Sequence, residues 1–222
     1  MIMNDSELFA LIRDRLFSAV IGDVMDKAGL TRQFLPPEIR AIVPDTVLVG
    51  RAMPVLVEDV TPGTPAEDAY GIMFRALDEL KPGEVYITAG GSPDYALWGG
   101  LMATRAMKLG AVGAVFEGCH RDTREIARLK FPVFSLGAYA KDQKDRGSAV
   151  DYRCRITFSN GVSVSPGDII AGDIDGVVVI PKDSAEDIVR DALLKVTGEE
   201  DVRRAIEQGE PTGDIFRRTG IM

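Results

Sequence analysis

The spacing of apolar positions changes several times along the chain, and each change marks an element. Leu8, Leu11, Ile12 and Leu16 recur at helical spacing after Asn4, Asp5 and Ser6, any of which can cap, so the chain opens with a helix. A second short helix is expected over 18–29. Pro36-Pro37 then breaks the pattern, and the β-rich run over 47–57 reads as a strand in which Pro54 suggests an edge or a bulge. Ala69, Ile72, Met73, Ala76, Leu77 and Leu80 form an i, i+3, i+4 stripe, which predicts a helix over 68–80 stopped by Pro82-Gly83.

From there the pattern becomes β-α-β-α-β. Strands are expected over 85–89, 112–117 and 132–135, with helices over 95–109 and 123–129 between them. Right-handed crossovers lay such strands parallel. The charged stretch 141–147 reads as a solvated loop, and 153–158 with 162–164 as a hairpin whose Ser159-Asn160-Gly161 turn carries a type I′ signature. Pro166-Gly167-Asp168 and Asp173-Ile174-Asp175-Gly176 are turns around short strands, the last ending at 177–180. An amphipathic helix follows Pro181, with Asp183 and Glu186 spaced as a capping pair. The tail 199–222 is helical and charged, interrupted at Gly209-Glu210-Pro211.

Composition narrows the function. The chain has 222 residues, 45% of them hydrophobic and 27% charged, enough to bury one core. Lys and Arg number 26 against 34 Asp and Glu, and the net charge of −8 disfavours phosphate backbones and anionic lipid, so neither nucleic acid nor membrane is expected as a partner. The two cysteines, Cys119 and Cys154, form no CxxC pair, the first residues resemble no secretory segment, and no apolar run approaches membrane-spanning length, so a cytoplasmic protein is expected.

Ligands of an open parallel sheet gather at the carboxyl ends of its strands, where helix N-termini present free amides. Two loops qualify: Gly90-Gly91-Ser92-Pro93-Asp94 and Gly118-Cys119-His120-Arg121-Asp122. Arg121 can grip a carboxylate through two parallel N–H bonds, and Asp122 is a hard oxygen ligand suited to Mg2+ or Mn2+. The plainer alternative is a salt bridge between loops. His120, the single histidine, reads equally as a site residue or as a loop residue held by hydrogen bonds. No GxGxxG, GxxxxGK[ST] or GxSxG motif occurs in a fitting context. Cys119 reads as a structural thiol, and Trp98 with its neighbouring methionines as packing.

The series Gly90-Gly91, Gly99-Gly100-Leu101-Met102-Ala103, Gly110-Ala111-Val112-Gly113 and Gly118 through Asp122 resembles the RraA-like family, which joins the regulator of ribonuclease activity A to the class II 4-hydroxy-4-methyl-2-oxoglutarate aldolases. Asp23, Gly50-Arg51-Ala52, Pro82-Gly83-Glu84 and the stretch from Ser165 to Pro181 extend the resemblance over nearly the whole chain. It implies an α-β-β-α swivelling-domain sandwich over 1–198, with a partly parallel sheet and a hairpin region, and a helical arm over 199–222 that packs on a neighbouring subunit of a homotrimer or hexamer. It further implies that Asp122 binds Mg2+ or Mn2+ and that Arg121 holds a pyruvate moiety. The turn of Gly100, Leu101 and Met102 would receive its carboxylate, while Glu199 or Glu200 of a neighbour orients a metal-bound water.

The implied reaction is retro-aldol cleavage or β-decarboxylation of a 2-oxo acid to release pyruvate. One departure stands out: the aldolases carry an acidic residue where this chain has Gly100, which leaves His120, Asp94 or Glu117 as candidate bases. Two other functions follow from the same resemblance. One is a noncatalytic regulatory ring that binds a ribonuclease or another protein, and the other is a related lyase acting on a sugar-acid or aromatic-degradation intermediate.

Overall fold

The computed structural model describes residues 3–61 and 70–221. In chain order its elements are α1 (Asp5–Arg15), α2 (Ser18–Lys27), β1 (Arg40–Ala41), β2 (Leu48–Asp59), α3 (Gly71–Asp78), β3 (Glu84–Ala89), β4 (Ala96–Trp98) and α4 (Gly100–Lys108). There follow β5 (Gly113–Phe116), β6 (Cys119–His120), α5 (Thr123–Leu129), β7 (Val133–Ser135), β8 (Gly137–Ala138), β9 (Gly147–Tyr152), β10 (Ile156–Thr157) and β11 (Ser163–Val164). The chain closes with β12 (Ile169–Asp173), β13 (Gly176–Ile180), α6 (Ala185–Glu207) and α7 (Thr212–Thr219).

The main sheet runs β1-β7-β5-β3-β2-β12-β13, with β9 also paired to β2. Strands β2, β3, β5 and β7 are mutually parallel, as the crossover helices require, while β12, β13, β9 and β1 join antiparallel. Alternation along each strand sorts the core into two faces. Met53, Val55, Tyr86, Ala114 and Phe116 meet α3, α4 and α5 on one face, and on that same face Val49, Ile169 and Val178 meet α1, α2 and α6. Ala52, Val85, Ile87, Val115 and Val179 turn to the other face, which the β10–β11 hairpin covers with Ile156, Phe158, Val162 and Val164. The result is an α/β sandwich with a partly parallel sheet, a hairpin region and helices at its C-terminal end.

A second, three-stranded parallel sheet, β4-β6-β8, sits just beyond the carboxyl ends of β3, β5 and β7. This corrects the helix expected over 95–109. Ala96, Leu97 and Trp98 are consecutive and all buried, a strand-like demand, and α4 begins only at Gly100.

Pro54 lies in a central strand and not at an edge, two residues before the register shift between Leu56 and Val57 in the pairing with β9. On its antiparallel side the β12 ladder ends at Arg51 and the β9 ladder begins at Val55, so the missing N–H falls in a gap, while its carbonyl accepts from Arg153. The hairpin turn is not type I′: of its residues only Gly161 has positive φ (86°), and Gly161 N–H donates to Phe158 O, the geometry of a type I turn followed by a left-handed glycine. Asp183 and Glu186 form no cap, because a 3-10 turn (Lys182–Ser184) precedes α6 and the N-cap Ser184 makes no side-chain bond. The stripe expected over 68–80 becomes α3; positions 68 and 69 lie outside the described residues.

Candidate functional site

The site begins where α4 begins. Gly100 N–H donates to Asp122 Oδ2 at 3.0 Å, so the carboxylate caps the helix from a different loop. The first amide of this end with a backbone partner is Ala103, bonded to Gly99 O, which leaves the N–H groups of Leu101 and Met102 without an acceptor among the described residues. Both glycines are needed for this approach. A Cβ on Gly99 would come within 2.8 Å of Asp122 Oδ2, and one on Gly100 within 2.3 Å of Glu125 Oε2. The space a side chain at position 100 would use is therefore filled by the Glu125 carboxylate, sent from the first turn of α5.

Asp122 itself has φ of 61°, a left-handed conformation rare for a residue with a Cβ, held by its place as N-cap of α5. Arg121 N–H donates to Trp98 O at 2.9 Å, which ties the loop to β4. Its guanidinium lies 3.2 Å from Asp142 Oδ1 and 4.0 Å from Asp122 Oδ2, and remains 41% exposed. The stretch expected as a solvated loop thus delivers a charged partner to the site. Tyr70 donates its hydroxyl to Asp142 Oδ2 at 2.7 Å. Burial works to raise the Asp142 pKa, but the Tyr70 bond, the Arg121 charge and two backbone amides outweigh it and hold the group below its ordinary value. Burial and that same carboxylate push the Tyr70 phenol up to about 12.

These groups line a cleft of about 260 Å3. Its polar lining is Arg121, Asp122, Asp142 and Gln143, and its apolar lining is built from Tyr70, Met73, Phe74, Trp98, Leu101 and Met102. The indole N–H of Trp98 is buried without a partner among the described residues, and its ring packs against Tyr86, Phe116 and Phe131.

A sequence model of the family described as RraA-like, Aldolase/RraA, matches residues 18–179. The chain belongs to the RraA-like family. Among relatives of this RraA-like protein is one of Halalkalibacterium halodurans named "Putative 4-hydroxy-4-methyl-2-oxoglutarate aldolase", 34% identical over 209 residues that cover 92% of this chain and 91% of the relative. Protein DlpA of Legionella pneumophila is 29% identical over 193 residues, 86% of this chain but only 30% of DlpA. Among solved structures, Streptomyces coelicolor RraAS2, described as an unusual member of the RNase ES inhibitor RraA protein family, superposes with a TM-score of 0.79 at 25% identity, covering 91% of this chain and 99% of that one.

In this RraA-like chain Arg121, Asp122, Gly100, Leu101 and Met102 come together, and the other sequence candidates do not join them. His120 is 3% exposed, with Nδ1 bonded to Ser135 Oγ at 2.8 Å and Nε2 to Thr123 Oγ1 at 3.0 Å; both nitrogens are committed, and burial lowers its pKa. Glu117 is tied to Ser159 through its backbone N–H and hydroxyl. Asp94 is exposed outside the Arg121 cleft, and it helps to raise the Cys119 pKa, secondary to burial. Glu199 and Glu200 lie within α6, away from the cleft of their own chain; Lys195 Nζ donates to Glu199 at 2.7 Å and sits 3.3 Å from Asp23.

Sequence reasoning missed Asp142, Tyr70 and Glu125. Glu125 had a signal: it stands three residues after Asp122, one helical turn on. Asp142 had none, since its approach depends on how β8 directs the loop that follows.

A divalent cation fits this donor set in a limited way. Among the described residues no three His, Cys, Asp or Glu side chains converge, but Asp122 and Glu125 offer two carboxylates on one turn. Mg2+ is commonly held by one or two carboxylates, with water and substrate completing its shell. Among the described residues no helix is long and apolar enough to cross a membrane.

Proposed function

We propose that this protein is a divalent-metal-dependent lyase that cleaves a 2-oxo acid by retro-aldol scission or β-decarboxylation and releases pyruvate. The observation that carries this reading is the convergence of the Arg121 guanidinium, the Asp122 carboxylate and the open amides of Leu101 and Met102 on one helix start. Relatives named as 4-hydroxy-4-methyl-2-oxoglutarate aldolases support it.

Asp122 and Glu125 would hold Mg2+ or Mn2+, which when bound would polarise the 2-oxo group as a Lewis acid. The rest falls to the chain's own residues. The amides of Leu101 and Met102 receive the substrate carboxylate, as helix N-termini receive anions. Arg121 binds the 2-oxo oxygen, where negative charge grows as the carbon–carbon bond breaks; a preorganised donor of this kind is worth about 3 kcal/mol of barrier. In the aldol case the proton of the 4-hydroxyl passes to a solvent water, the C3–C4 electron pair passes into the pyruvate enolate, and water returns a proton to C3. Asp142 keeps Arg121 extended along the cleft wall. Glu199 or Glu200 of a neighbouring subunit completes the ion's water shell, within a homotrimer or hexamer.

The test is pyruvate release from oxaloacetate and from 4-hydroxy-2-oxo acids with Mg2+ or Mn2+, compared with Asp122→Ala. The expected difference is about 100-fold or more, the scale of losing one charge-stabilising contact at a reacting centre. Release no greater than that of Asp122→Ala with every substrate sinks the proposal. The absence of a third ligand among the described residues and the likeness to RraAS2 favour a second reading, a ring that binds a ribonuclease or another protein without catalysis. Capture of a purified ribonuclease that survives Asp122→Ala, with no turnover, would select that reading.

A further inference from the structure

We propose that the substrate's far end is uncharged and apolar, so that this protein prefers 2-oxo acids with an aryl or alkyl tail over the dicarboxylates of its named relatives. The inference rests on the 2-oxo acid reading above and adds the substrate class. Of the ionisable groups lining the cleft, Arg121 is the single cation, set against the two carboxylates Asp122 and Asp142. That cation is already shared with Asp142 at 3.2 Å and is the group needed for the head of the substrate. A second substrate carboxylate, such as 4-hydroxy-4-methyl-2-oxoglutarate carries, would leave water to face Phe74, Met102 and Leu101, and among the described lining residues no cation besides Arg121 is there to meet it. Burying an unpaired carboxylate against apolar surface is strongly disfavoured.

The same wall suits a neutral tail. Phe74 is 52% exposed and Leu101 82% exposed, a large apolar surface beside a charged head site, and the Tyr70 ring lies tilted against Phe74 at a centroid distance of 5.4 Å. Covering these side chains with an aryl group returns apolar area from water, whereas a carboxylate there gains nothing.

The experiment measures binding by calorimetry in the presence of Mn2+ for three probes with one head: pyruvate, phenylpyruvate and 2-oxoglutarate. Phenylpyruvate is expected to bind at least about tenfold more tightly than 2-oxoglutarate, the discrimination that one unpaired buried charge produces. Phe74→Arg, an exposed substitution that adds the missing cation, is expected to reverse the order, and circular dichroism checks that it folds. If pyruvate binds and 2-oxoglutarate binds as well as or better than phenylpyruvate, the inference falls while the 2-oxo acid reading stands. If none of the three binds, pyruvate included, the functional reading falls and takes this inference with it. An unchanged preference in folded Phe74→Arg also counts against the assigned wall.

Discussion

Two adjacent side chains carry the candidate chemistry, and a third keeps them in place. Arg121 offers a planar fork that can hold a carboxylate or a 2-oxo oxygen while its Nη1 stays on Asp142. Lysine has the charge without the fork, so Arg121→Lys should lower oxalate affinity about tenfold or more with little change in folding, measured by calorimetry beside a thermal melt. His120 shows the opposite character. Its ring is buried and neutral between Ser135 and Thr123, and burial lowers its pKa. The unfolded chain takes up a proton near pH 6.5 that the native ring resists, so stability is full above that pH and is lost as pH falls below it. In metal-free buffer, moving from pH 7.5 to 5.5 should cost the wild type up to about 1.4 kcal/mol, and His120→Gln should be flat over that window. A urea midpoint that moves equally in both proteins would remove His120 as the cause. The sequence left His120 open between a site residue and a hydrogen-bonded loop residue. Nothing local could decide it, because Ser135 is 15 residues away.

At the scale of elements, periodicity was legible wherever a segment packs on one neighbour, and misleading where two layers meet. The strands β3, β5 and β7 and the helix α5 sit where their patterns put them. The segment from Tyr95 to Trp98 does not, since it belongs to the small sheet stacked on the main sheet's carboxyl edge, and its apolar run continues smoothly into α4. The glycine pair was the available clue. Gly99 and Gly100 break the run where the carboxylates of Asp122, the N-cap of α5, and of Glu125 in its first turn arrive, and neither approach tolerates a Cβ without movement. Gly100→Ala tests this arrangement directly. Gly100 is buried, but the group displaced is the far end of an exposed glutamate, so stability should change by less than about 1 kcal/mol. Mn2+ affinity, read by calorimetry, should nevertheless fall as Glu125 is pushed away. Unchanged affinity with Glu125 displaced would show that this carboxylate lies beside the ion site without serving it.

Over the whole molecule, the resemblance made the α/β sandwich readable, and the helical tail with its interruption at Gly209-Glu210-Pro211 was legible in the pattern, since α6 ends at Glu207 and α7 begins at Thr212. The expected boundary at 198–199 falls inside α6, which runs unbroken from Ala185 to Glu207. The early part of α6 belongs to the main core through Ile188, Val189 and Ala192, and the end belongs to a separate small cluster of Val202, Ala205 and Ile215, which Ile221 joins. A cluster of that size can open without unfolding the sheet, because each region exchanges with the stability of its own contacts. Leu194, Ile206 and Phe216 are exposed apolar side chains on α6 and α7, and the expected packing of this end on a neighbouring subunit would cover them. Ile215→Asp would place a charge where Ile215 is fully buried and should release α7 from α6. Hydrogen exchange should then show amides of α7 losing protection while those of β3 keep theirs, and light scattering should show the assembly shifting toward monomer. Loss of protection in α7 with the assembly mass unchanged would separate the arm from the subunit contact, and equal loss in β3 would show that the arm and the sandwich fold as one unit.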